Sequence, residues 1–198
     1  MVKNIIKIIA GIFIASTAIL GYYGIVILMY ELTFISNITA GIVLIADGVM
    51  GLTLKKNIPA LIYQMVLPCI ITVFSTCVFA LVGFFTFNFE GAFFFLHVIN
   101  PPVFLLLYLF CVESNIESKG DYLKNTFLSP LMITGYLIFD FIRFFIVGFL
   151  VYGLIPAEIV TPVSAVLIGI VFYFLMALLC FGFIKLKLLC TKENKSFD

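Results

Sequence analysis

The sequence predicts an all-α, polytopic integral membrane bundle of six transmembrane helices with both termini in the cytoplasm, and three observations carry that prediction. The first is composition: 64% of the 198 residues are hydrophobic, 11% are charged and the mean hydropathy is +1.29, whereas a soluble domain has about 25% charged residues. The second is segmentation. Apolar windows broken by charge or by Pro/Asn clusters fall at roughly 4–29, 32–54, 58–86, 92–112, 127–152 and 161–186, each long enough to cross a hydrocarbon core of about 30 Å at about 1.5 Å per residue. The third is charge placement. Lys3, Lys7, Lys55, Lys56, Lys119, Lys124, Lys185, Lys187, Lys192 and Lys195 all fall at ends that six spans assign to one side, while Glu31, Glu90 and Glu158 mark the other. Lysine-rich connections stay cytoplasmic, and an odd number of spans would scramble the split. The chain therefore reads as a single transmembrane domain over 1–198.

Taken in order, the apolar run after Lys7 continues to Tyr30, too long for a signal-peptide core, and so reads as the first span. The second span begins almost at once after Glu31, so the two form a tight antiparallel hairpin. Lys55-Lys56-Asn57 ends the second span, and Pro59 suits the first turn of the third. Pro68 lies inside that third, long span and predicts a tilt or kink. Asn88-Phe89-Glu90-Gly91 reads as a short turn, and Glu113 to Asn125 as the one distinctly polar connection. The five cysteines, Cys69, Cys77, Cys111, Cys180 and Cys190, have no CxxC spacing and read as free thiols. With a single histidine there is no soft-metal ligand set, and no metal or organic cofactor is expected.

The stretch Phe93 to Pro102 holds that histidine, His97, inside an apolar run. An ionisable residue in a span is a functional-site hypothesis by default, because an unpaired polar group in hydrocarbon is costly. Pro101 and Pro102 lack the N–H groups that an α-helix would give to the carbonyls of His97 and Val98, so the helix is expected to bend and His97 to face a pocket. A packing histidine, hydrogen-bonded between helices, is the plainer alternative. The other charges inside spans are Asp47, Asp140 and Arg143, accompanied by Thr33, Ser36, Asn37 and Asn100. On this topology Thr33, His97 and Arg143 fall in the outer half of the bundle. Asp140 and Arg143 are spaced to form an i,i+3 pair, or else to meet a substrate. Asp47 lies deeper on nearly the same face as Thr33 and is suited to bonding a neighbouring helix.

Leu32-Thr33-Phe34-Ile35-Ser36-Asn37, followed by Leu96-His97-Val98-Ile99-Asn100-Pro101, resembles the androgen-induced / androgen-dependent TFPI-regulating family of six-helix membrane proteins, and its bacterial members in particular. The Gly135-Tyr136 to Arg143 stretch is similar to those members too, and the family's Tyr-Pro pair before the last helix has its nearest echoes in Tyr152 and Pro156. The likeness covers most of the chain in order and spacing, through short motifs. It implies that Thr33 and His97 are the essential pair and that the reaction is hydrolysis of fatty acyl esters, as the human members hydrolyse fatty acid esters of hydroxy fatty acids. It also implies a multi-pass protein of a bacterial plasma membrane.

The pair makes chemical sense. A threonine hydroxyl is a weak nucleophile until a base takes its proton, and neutral imidazole suits that task. Asn37 and Asn100, one turn after Thr33 and His97, are candidates for stabilising an oxyanion. Arg143, with Asp140 nearby, is a candidate for binding a substrate carboxylate. The expected partners are membrane lipids and a lipid ester substrate, with no nucleic acid; nothing in the chain speaks to oligomeric state. A second function class stays open: a non-enzymatic small transporter or lipid-binding membrane protein, with a polar path lined by His97, Asp140 and Arg143.

Overall fold

The computed structural model describes residues 1–83, 90–114, 116–152 and 155–190, which are helical with no strand among them. Six helical stretches are long and apolar enough to cross a membrane. The first two, α1 (Val2–Gly21) and α2 (Leu32–Thr53), form the expected hairpin. Helix α1 ends earlier than position 29, because Gly24 takes a left-handed φ of +85° and the chain continues into one turn of 3₁₀ helix at Val26–Leu28. A seam of glycines allows the two backbones to touch: a Cβ on Gly41 would lie 2.8 Å from the Gly11 carbonyl oxygen and 2.9 Å from the Ala15 Cβ. Small residues at such positions replace the hydrophobic drive that is missing between helices in lipid.

Helix α3 (Ala60–Leu81) starts after Pro59 and carries Pro68 within it without ending there. The sequence extended this span to position 86, but 84–86 lie outside the described residues, as do Asn88 and Phe89 of the expected turn. The fourth span, α4 (Ala92–Cys111), contains a π-helical segment at Phe95–Ile99. The Asn100 N–H bonds the Phe95 carbonyl, five residues back. This register corrects the sequence expectation, because the donor missing at Pro101 now belongs to the Leu96 carbonyl rather than to that of His97. The Asn37 amide satisfies that carbonyl at 3.3 Å.

The expected polar connection at 113–125 is mostly helix (Asn115 lies outside the described residues). Ser118 accepts the Asp121 N–H at 3.1 Å and starts α5 (Lys119–Leu128). The chain breaks at Ser129-Pro130 and resumes as α6 (Leu131–Val147), which stops at Gly148 with φ +83° rather than at 152. Helix α7 (Pro162–Cys190) runs past the expected end at 186. Its buried Lys187 bonds the carbonyls of Leu109, at 2.8 Å, and Val112, placing a cation on the C-terminal end of α4. Lys192 and Lys195 lie outside the described residues. Exposed Val166, Ile170, Phe174 and Leu178 give α7 an apolar outer face.

Asp47 does bond its neighbours. Its carboxylate meets the Lys7 ammonium of α1 at 2.7 Å, the Tyr63 hydroxyl of α3 at 2.7 Å and the Ile58 N–H at 2.7 Å. Asp47 and Lys7 are 0% and 2% exposed, so this ion pair locks three elements from within. Around it pack Ile14, Leu44, Tyr63, Leu67, Phe104 and Tyr108.

Candidate functional site

Thr33 is the second residue of α2, just after the bend at Glu31, and His97 sits in the π segment of α4. The fold brings them together: Thr33 Oγ1 lies 3.2 Å from His97 Nε2, with the residues 3% and 4% exposed. The other ring nitrogen, Nδ1, is 3.0 Å from the Phe93 carbonyl oxygen. A carbonyl only accepts, so Nδ1 carries the proton and Nε2 of the neutral ring presents a lone pair to the threonine hydroxyl. The Phe93 ring stacks on the imidazole, with centroids 6.2 Å apart. Hydroxyl, imidazole and carbonyl thus follow one another within hydrogen-bond reach, the order that a nucleophile, a base and its orienting group require.

Tyr152 stands on the other side of Thr33. Its hydroxyl is 3.3 Å from Thr33 Oγ1 and accepts the Thr33 N–H at 3.1 Å, while the Tyr136 hydroxyl of α6 accepts the Leu32 N–H at 3.0 Å. Two phenols therefore satisfy the first orphan donors of α2. Burial pushes the Tyr152 phenol up to about 12, with its hydrogen bonds to Thr33 pulling against it.

The intramembrane charges hold the segment that delivers Tyr152. Asp140 Oδ1 accepts the Val151 N–H at 2.9 Å. The Arg143 guanidinium donates to the Phe149 carbonyl and to the Tyr30 hydroxyl, both at 3.1 Å, and lies over the rings of Tyr30 and Phe149. Asp140 and Arg143 are thus clamps on the chain after α6 rather than an i,i+3 ion pair. Arg143 is also absent from the cavity beside Thr33.

Asn37 and Asn100 form a layer on the other side of the α2 start. Asn37 donates to the carbonyls of Thr33, at 2.8 Å, and Leu96; Asn100 donates to Thr17 Oγ1 at 2.9 Å and to Asn37 Oδ1 at 2.8 Å. Their amide protons hold α1, α2 and α4 in register and are already engaged within the protein.

A cavity of about 130 Å³ opens beside Thr33, with Tyr136, Asp140 and Tyr152 on its wall among Leu32, Val73, Ile133, Leu150 and Phe172. That is close to the size of an apolar cavity that admits a benzene-sized guest. Among the described residues no group of three His, Cys, Asp or Glu side chains is placed to hold a metal ion.

The residues that sequence reasoning left out of the site are Tyr136 and Tyr152. Tyrosine is common in membrane proteins, and only the echo of a Tyr-Pro pair marked Tyr152. No protein-family model, no curated protein and no solved structure matches the chain.

Proposed function

We propose that this protein is an intramembrane hydrolase of lipid fatty acyl esters, with Thr33 as nucleophile and His97 as general base. The observation that supports it is the 3.2 Å approach of Thr33 Oγ1 to the unprotonated Nε2 of a histidine whose Nδ1 is anchored on a carbonyl. Thr33 attacks the ester carbonyl while His97 takes its proton. The imidazolium returns that proton to the departing alcohol, and water, activated by the same imidazole, then releases the acid. The apolar cavity beside Thr33 takes the part of the acyl group next to the ester. The resemblance to the androgen-induced family supports the same pair and reaction. In this reading the protein sits in a bacterial plasma membrane with both termini in the cytoplasm.

The transporter or lipid-binding alternative has less behind it. Asp140 and Arg143 are engaged with the chain at 149–151, and Asp47, the one residue able to extend a polar path, is closed by Lys7, Tyr63 and Ile58.

The test is covalent labelling of the purified protein by a fluorophosphonate probe together with fatty-ester hydrolysis. Thr33→Ala is expected to abolish both, Thr33→Ser to keep part of each, and His97→Ala to slow both by about 10²-fold or more, with melting temperatures close to the parent. Full hydrolysis by a well-folded Thr33→Ala protein would overturn the assignment.

A further inference from the structure

We infer that Tyr152, assisted by Tyr136, is the oxyanion-stabilising donor of this site; the inference rests on the hydrolase reading. Three observations converge on these phenols. First, the obvious amide donors are spent: Asn37 gives its protons to the carbonyls of Thr33 and Leu96, and Asn100 gives its protons to Thr17 Oγ1 and Asn37 Oδ1. Second, each phenol oxygen already accepts a backbone N–H, from Thr33 or Leu32, so its own proton is left to give. Third, both tyrosines line the same cavity as Thr33, while His97, which meets the same hydroxyl, is not on that wall.

The resting hydrogen bonds set the direction. Thr33 O–H donates to His97 Nε2, so its oxygen accepts from the Tyr152 O–H at 3.3 Å. When Thr33 Oγ1 bonds the ester carbon, the carbonyl π electrons move onto oxygen, within bonding distance of that same carbon. The Tyr152 proton then turns from Oγ1 to this neighbouring anion. The N–H groups of the α2 start polarise both phenols, and the positive end of the helix dipole favours negative charge in the same place. Collapse restores the carbonyl, expels the alcohol with the proton held by His97, and returns the Tyr152 hydrogen bond to the acyl-enzyme oxygen. Nothing besides water is consumed.

The ordering of the loop has a purpose on this view. Gly148 ends α6 with φ +83°, and Asp140 and Arg143 pin Val151 and Phe149. Tyr152, although 38% exposed as a residue, thereby brings its hydroxyl onto the buried Thr33.

The experiment measures steady-state hydrolysis of 4-methylumbelliferyl heptanoate by the full chain in detergent. Tyr152→Phe is expected to lower kcat about 10²-fold with KM little changed, as for loss of one oxyanion donor. Tyr136→Phe should cost less, and the double variant about as much as Tyr152→Phe alone. A second variant guards against misfolding: 3,5-difluorotyrosine placed at 152 keeps ring and hydroxyl but ionises more readily. Since the donor must be protonated, kcat falls as pH rises through the phenol pKa, and the fluorinated protein should lose activity at distinctly lower pH than the parent. Tyr152→Phe with kcat within about threefold of the parent, or an unmoved alkaline limb in the fluorinated protein, overturns the inference while leaving Thr33 and His97 in place. A parent protein inert to both ester and fluorophosphonate overturns the hydrolase reading and this inference with it.

Discussion

Replacing Lys7 by Met leaves the Asp47 carboxylate with the Tyr63 hydroxyl and the Ile58 N–H but without a counter-charge, in a place that is 0% exposed. Breaking one partner of a buried pair costs about 3–5 kcal/mol, because the remaining charge has no water to turn to. Asp47→Asn alone strands the Lys7 ammonium and is expected to cost a similar amount. The double variant Lys7→Met, Asp47→Asn removes both charges; the asparagine oxygen still accepts the Ile58 N–H, and its amide can donate to the Tyr63 oxygen. Its cost should be about 1–2 kcal/mol, that of weakened neutral hydrogen bonds. The double-mutant cycle therefore predicts a double variant more stable than either single one. For a protein of this length each kcal/mol moves Tm by roughly 2–4 °C, so the singles should melt on the order of 10 °C below the parent and the double only a few degrees below. Thermal unfolding in detergent, followed by cysteine accessibility at buried Cys69, reads the difference. Additive losses, or a Lys7→Met protein within about 1 kcal/mol of the parent, would refute the claim that this pair is a closed structural lock.

The glycine seam and the topology give two further expectations. Gly41→Ala should destabilise by about 1–3 kcal/mol through the forced contacts with Gly11 and Ala15, whereas Gly135→Ala, with nothing within 4 Å, should be neutral or stabilising by up to about 1 kcal/mol; the same melting assay compares them. Alkaline phosphatase fused after Lys56 should be inactive and after Glu158 active, as the lysine split requires, and the reverse pattern would reject the orientation.

The fluid part of the architecture was legible without coordinates, because it depends on local quantities. Hydropathy summed over about 20 residues decides whether a segment prefers lipid, and six such segments reappear as helices. Boundaries were less legible where short-range chemistry outweighs hydropathy. The cap at Ser118 starts a helix inside a polar stretch, and the left-handed Gly148 ends another inside an apolar one. Likewise, the two prolines marked where α4 departs from a regular helix, but not that it takes a π register, with the Leu96 carbonyl met by the Asn37 amide across from α2.

The site divides in the same way. His97 stood out by itself, as the single histidine in an apolar run, and Thr33 through the resemblance of the Leu32 to Asn37 motif. The roles of the other polar groups did not, since which atom of a side chain is free depends on what the neighbouring helices already demand of it. Asn37 and Asn100 look like free donors along the chain and are consumed between helices. Asp140 and Arg143 look like a pair and instead hold the segment carrying Tyr152. Composition and hydropathy determined that this chain is a bundle of six helices long and apolar enough to cross a membrane, with a single histidine inside one of them. Only tertiary packing decided that Tyr152, 119 residues from Thr33 in sequence, brings its hydroxyl to the Thr33 hydroxyl, because contacts between distant segments leave no trace in local hydropathy.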